Sequence, residues 1–262
     1  MGKDQRVLFH ETVFGPIHSR RLGVSLGINL SPNDGKVCSF DCLYCEAGFN
    51  SQGKGTTGFP SRESVRDSLK KKLEEMKAKG ENLDVITFSG NGEPTLHPDF
   101  PEILDDVLQL RDKYFPNAKV SVLTNSTKIF TPAVAEALKK ADNNILKLDS
   151  AVEKTMQLID RPSSPSFTVE KVVDGLKQFS GSGIIQTMIL RGEHDSEKID
   201  NTTPEELNAL IKAYKEIKPK EIMIYSLDRT TPAEKLIKVD LEELKKIGDY
   251  IEQSTGIPVK VN

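Results

Sequence analysis

Apolar positions recur along the chain with two alternating periods. Val65, Leu69, Leu73 and Met76 step by four, four and three, the spacing of one buried helix face. Ser61 is placed to cap that helix and Gly80 to stop it. Leu83 to Phe88 is a short apolar run of the kind that forms a buried strand. The alternation then repeats. Phe100, Ile103, Leu104, Val107 and Leu108 mark a helix before a strand over Lys119–Thr124. Thr131-Pro132 opens a helix through Lys140, with proline at the first helical position. A strand over Ile145–Asp149 precedes a helix over Phe167–Phe179, and a strand over Ile184–Leu190 precedes the capping-box helix that starts at Thr203 and Glu206. Glu221–Leu227 is followed by a second capping box, Asp240 and Glu243, whose helix runs to Ile251.

With a first strand over Val24–Leu30, these make six strand–helix units. The pattern predicts an α/β fold, a parallel sheet with outer helices and right-handed crossovers. Six units are two short of a closed eight-stranded barrel, and periodicity alone leaves an incomplete barrel and an open doubly wound sheet both standing. In either, chemistry gathers at the C-terminal ends of the strands.

A length of 262 residues suits one large α/β domain, taken as residues 24–262 behind an N-terminal segment over 1–23. Hydrophobic residues make up 37%, enough for a sizeable core, and no run nears the roughly 18 apolar residues of a membrane span. The start, Met1 to Arg6, lacks the order of a signal peptide, which points to a cytoplasmic protein. A net charge of −3 gives no overall basic footprint for nucleic acid, although a local basic rim would suffice for RNA.

The candidate chemistry lies just past two of the predicted strands. All three cysteines, Cys38, Cys42 and Cys45, form one C-x-x-x-C-x-x-C loop with Tyr44 before the last. The second stretch is the turn Gly90-Asn91-Gly92-Glu93. Clustered cysteines in a reducing compartment are more often metal ligands than disulfides. Zinc, with His97 as a fourth ligand, is one reading, but its common sites pair their ligands differently. Three thiolates can instead hold three irons of a 4Fe–4S cube and leave the fourth iron open.

Together these motifs resemble the radical S-adenosylmethionine (SAM) superfamily. The resemblance implies a partial (βα)6 TIM-like barrel, a 4Fe–4S cluster on Cys38, Cys42 and Cys45, and SAM on the open iron. It implies an oxidoreductase-type enzyme that cleaves SAM to a 5′-deoxyadenosyl radical and abstracts hydrogen from a substrate. A flavodoxin- or ferredoxin-type protein would deliver the electron. Gly90, Asn91, Gly92 and Glu93 would hold the methionine end of SAM, and Tyr44 would lie beside its adenine. Asn125, Asp149 and Ser150 stand where the family places ribose or carboxylate contacts. The stretch Gly15 to Gly23, with Arg20 and Arg21, is similar to the branch related to wyosine synthesis on tRNA. The chain has no further cysteines for the second cluster of the enzymes that build the wyosine tricycle. A glycyl-radical activating enzyme acting on a protein, and a non-enzymatic redox module, are the alternatives.

Other candidates come from the residues themselves. Lys147 alternates with apolar neighbours and Gln186 falls within the apolar fifth strand, which predicts that both face the barrel interior. Arg161, Arg191 and Arg229 follow helix or strand ends and are anion-binding candidates. Residues 46–60, with four glycines, read as a functional flap near the cysteines.

Overall fold

The structure, a computed structural model, describes residues 6–19 and 23–262. Strands β1 (Val13–Ser19) and β2 (Gly23–Ile28) lead, through a long loop, to α1 (Arg62–Ala78) and β3 (Val85–Phe88). Next come α2 (Phe100–Tyr114), β4 (Lys119–Thr124), α3 (Pro132–Lys140), β5 (Asn143–Lys147), α4 (Glu153–Asp160), α5 (Val169–Leu176) and β6 (Ile184–Met188). The chain continues with β7 (Leu190–His194), β8 (Glu197–Asp200), α6 (Pro204–Ile217) and β9 (Glu221–Tyr225). It closes with β10 (Leu236–Lys238), α7 (Leu241–Thr255) and β11 (Val259–Val261). The helix starts follow their caps: Ser61, Thr203 and Asp240 each accept a hydrogen bond from the backbone N–H three residues on.

The main sheet runs β1-β2-β3-β4-β5-β6-β9-β11, antiparallel only at β1. Strand order rises without reversal, so the crossovers wind one way and no switch point of a doubly wound sheet exists. Its end strands, β1 and β11, do not pair with each other. The fold is therefore a partial TIM-like barrel with all six expected strands. Among the described residues, no helix is long and apolar enough to cross a membrane.

The structure also departs from the sequence pattern. The turn-rich lead-in over 14–19 is part of an edge strand, whose register shifts between Phe14 and Ile17. A proline fits there because an irregular edge position needs no N–H from it. The expected strand 184–190 ends at Met188, and Leu190 begins the separate β10-β7-β8 sheet. That hairpin turns through Asp195 and Ser196, both at positive φ, as a tight two-residue turn requires. Helix α4 was absent from the pattern; only Met156 and Ile159 are apolar positions buried on it, too few to mark a period.

Outward positions such as Leu26, Ile86, Val120, Leu146 and Ile185 pack with α1 and its neighbours into the main core. The inward face carries a small apolar plug of Ile145, Ile184 and Met223. Ser25 and Thr87 (3.2 Å) and Asn143 and Ser121 (3.0 Å) also hydrogen-bond in pairs. The opposite end, at the C-termini of the parallel strands, holds a pocket.

Candidate active site

The loop after β2 and the turn after β3 lie against each other. Val37 bridges Gly92, and the Glu93 N–H donates to Val37 O at 3.0 Å. A Cβ on Gly92 would sit 1.9 Å from that carbonyl, so glycine is required for this approach. Asn91 is fully buried and faces away from the pocket. Its amide donates to Phe9 O and Pro32 O, both at 2.9 Å, and accepts from the Phe9 N–H at 2.8 Å. It fastens the turn to the N-terminal segment. The flap over 46–60 is pinned too, since Asp34 accepts from the backbone and hydroxyl of both Thr56 and Thr57.

A pocket of about 300 Å³ opens beside these two loops. Cys38, Cys42 and Cys45 line it together with Gly90, Gly92, Glu93, Tyr44 and Asn125. All three thiols are free of disulfides. Burial, then Glu93, pushes the Cys38 thiol up to about 12. Burial, then Asp160, holds Cys42 well above its ordinary range, and its thiol lies 3.6 Å from an Asp160 oxygen.

Glu93 is 3% exposed and almost fully engaged. Its Oε1 accepts from Thr95 N–H (3.1 Å), Thr95 Oγ1 (2.5 Å) and Thr124 Oγ1 (2.7 Å), and its Oε2 accepts from the Asn125 N–H (2.7 Å). Burial nevertheless raises its pKa. A carboxylate oxygen offers two lone pairs, so Oε2 keeps one acceptor direction for an incoming donor. Asn125 reaches both Cys38 Sγ (3.5 Å) and Ser39 Oγ (2.9 Å) through Nδ2.

Tyr44 heads a second, charged group. Its hydroxyl donates to Asp149 Oδ2 and accepts from Lys147 Nζ, while Lys147 lies 3.2 Å from Asp149 and 4.9 Å from the Tyr44 ring centre. Burial is the largest influence and opposes the Lys147 charge, but Asp149 and the other acidic groups around it together hold the ammonium well above its usual range. Asp149 also accepts from the Met188 N–H at 2.9 Å, so it ties β5 to β6 beneath the pocket. Ser150 is buried on Glu206 at 2.6 Å and does not reach the pocket wall.

Gln186 lines the pocket from the opposite side, is 8% exposed, and its side-chain amide has no hydrogen bond among the described residues. Arg229 also lines it and pairs with Glu46 at 2.5 Å, joining the loop after β9 to the cysteine loop. Arg161 lies against Asp41 and the Phe49 ring, and Arg191 is held by Glu243 and Asp200. Neither reaches the pocket. Arg20 and Arg21 lie outside the described residues. Sequence reasoning missed Lys36, Asp160, Thr95 and Thr124. Only Lys36, two residues before Cys38, carried a local signal.

His97, the fourth zinc ligand weighed above, has both ring nitrogens engaged, by Pro60 O (2.7 Å) and the Asp99 N–H (3.1 Å). Among the described residues, no three His, Cys, Asp or Glu side chains converge on one ion-sized point. A tetrahedral zinc needs such convergence, whereas an iron–sulfur cube takes each cysteine at a separate iron. Three soft thiols around one pocket suit the cube.

Comparisons with known proteins bear on the family. The chain is 30% identical over 275 residues to the UPF0026 protein slr1464 of Synechocystis, covering 95% of each. It is 32% identical over 263 residues to a Brachyspira hyodysenteriae protein named GTPase Obg, but spans only 36% of that protein's length. In structure it is similar to a radical SAM methyltransferase from Sphaerobacter thermophilus, with a TM-score of 0.66, 13% identity, and coverage of 91% of this chain and 65% of that one. It is also similar to TYW1 with a lysine–pyruvate adduct bound, at 0.60 and 13%, covering 89% and 75%. These two likenesses are of fold. The family model described as Radical SAM superfamily matches residues 33–200, from before the cysteine loop to the end of β8. On that match the chain belongs to the radical SAM superfamily and is an enzyme, a family that works with SAM and an iron–sulfur cluster.

Proposed function

We propose that Cys38, Cys42 and Cys45 hold a single 4Fe–4S cluster and that SAM binds over it in the 300 Å³ pocket. When bound, these groups supply reductive cleavage of the sulfonium to methionine and a 5′-deoxyadenosyl radical, which takes hydrogen from the substrate. The chain's own residues bind, orient and shield. The Cys38 and Cys42 thiols, protonated in the bare protein, release protons on taking up metal. The open acceptor direction on Glu93 suits the methionine ammonium, since a carboxylate is its natural partner. Gly90 and Gly92 keep that side of the pocket low, while Asn125 steadies the Cys38 sulfur. Tyr44, its hydroxyl fixed by Lys147 and Asp149, forms the wall against the adenine. Ser150 contributes from behind, through Glu206.

The substrate enters past the Glu46–Arg229 pair and meets the free amide of Gln186. A flavodoxin- or ferredoxin-type protein supplies the electron. The likeness to the wyosine-related branch makes a tRNA base one substrate to test beside small molecules. One observation carries the reading: three free thiols and a carboxylate with one acceptor position left share a single pocket.

Anaerobic reconstitution with iron and sulfide, followed by SAM and dithionite, tests it. The expected product is 5′-deoxyadenosine. Deuterium passed into that product from labelled tRNA or small molecules then identifies the substrate. A colourless protein with one zinc in the loop would refute the reading.

A further inference from the structure

Lys36 is 2% exposed, and burying a lone ammonium is costly unless something compensates it. Its Nζ donates to Gly48 O at 2.7 Å and lies 3.5 Å from Asp41 Oδ1. Gly48 belongs to the turn that closes on Cys45, since its N–H donates to Cys45 O at 2.9 Å. The side chain thus starts two residues before the first cysteine and ends on the turn that follows the last one. Asp41 does not serve it alone, because it also accepts from the Asn50 N–H at 2.6 Å and lies 3.6 Å from Arg161. The ammonium is thus buried within the span of the cysteine loop, between Asp41, next to Cys42, and the turn that follows Cys45.

We infer that the Lys36 ammonium is a fixed counter-charge behind the cysteine loop that raises the reduction potential of the cluster held there. The inference rests on the proposed cluster. Each electron added makes a thiolate-bound cluster more negative, so a buried positive charge beside it favours the reduced form. Lys36 would act through the cysteines, as a positioning and charge-setting residue, without touching SAM.

The test is an EPR-monitored redox titration of the reconstituted full chain. Lys36→Met is expected to load iron and sulfide but to show a roughly tenfold lower ratio of reduced to oxidised cluster at fixed potential, about 59 mV for one electron. Lys36→Arg, which keeps the charge, is expected to stay within about twofold of wild type, a shift well under that one-electron step. A cluster-bearing Met variant with an unmoved potential would overturn the inference, as would an equal shift in both variants. If the Met variant loads no cluster, Arg decides: a wild-type potential there supports the charge role, and failure of both variants overturns it. Failure of the wild type to load would instead refute the cluster itself.

Discussion

The two sides of the pocket differ in how far their polar groups are already committed. On the side built by β3 and β4, Glu93 takes four hydrogen bonds and Asn125 is bonded through both ends of its amide. On the side built by β6, the amide of Gln186 takes none among the described residues. The Gln186 amide opens onto the pocket and is not among the fully buried unpartnered groups, so it stays available to an incoming molecule without the desolvation cost of a buried orphan. The first side fits a role in holding the same cofactors at every turnover. The second presents an acceptor and a donor to whatever else comes in, a pair that matches the edge of an amide or a nucleobase.

The largest way to break this comparison is at the cysteines. Replacing Cys38, Cys42 or Cys45 with alanine should abolish the cluster's visible absorbance and 5′-deoxyadenosine formation together. An iron-loaded, active variant would show that the first side is not built for a cluster.

Glu93→Ala comes next. It should weaken SAM binding by about tenfold or more, the equivalent of one lost charge-assisted bond, while iron and sulfide content stay at wild-type levels. The thermal midpoint should also fall, because Thr95, Thr124 and the Asn125 N–H lose their acceptor. Unchanged SAM affinity in an equilibrium titration would remove Glu93 from the site.

A third expectation concerns pH in the cluster-free protein. The Cys38 thiol is raised from 9.0 to about 12 in the fold, by burial first and Glu93 second. Between those values the unfolded chain gives up the proton before the folded one, so stability must fall as pH rises. One such group contributes about 1.4 kcal/mol per pH unit. Denaturant unfolding at pH 9.5 and 11 should therefore show a steeper loss in wild type than in Cys38→Ala, and equal slopes would contradict the burial argument.

The smallest effect sharpens the other side. Gln186→Leu should leave stability within about 0.5 kcal/mol of wild type or raise it, since no bond is broken. SAM affinity should change less than about twofold, a small fraction of one hydrogen bond. A loss above about 1 kcal/mol would mean that the amide has a structural partner, and the two sides would no longer differ.

Much of this architecture could be read without coordinates. Ser61, Thr203 and Asp240 sit one residue before their helices, and the capping bond spans only three residues. The cysteine loop and the Gly90–Glu93 turn were recognisable because their chemistry is packed into a few consecutive positions. Gln186 was flagged as inward-facing by its place in an apolar strand, but whether its amide was satisfied depended on β5, β9 and the loops above them. Asn91 shows the reverse. Its place in a cofactor motif suggested a ligand contact, yet its side chain bonds Phe9 and Pro32, residues 82 and 59 positions away.

Strand positions, helix starts and the clustering of the thiols thus follow from interactions within a turn or two of the chain, and the residue types are enough to specify them. Only the tertiary structure decided that the strands wind one way, that Glu93 meets Thr124 and Asn125, and that Lys36 ends against Gly48 behind the cysteines. Those contacts depend on where loops of irregular backbone pass one another, and no local period or cap encodes that path.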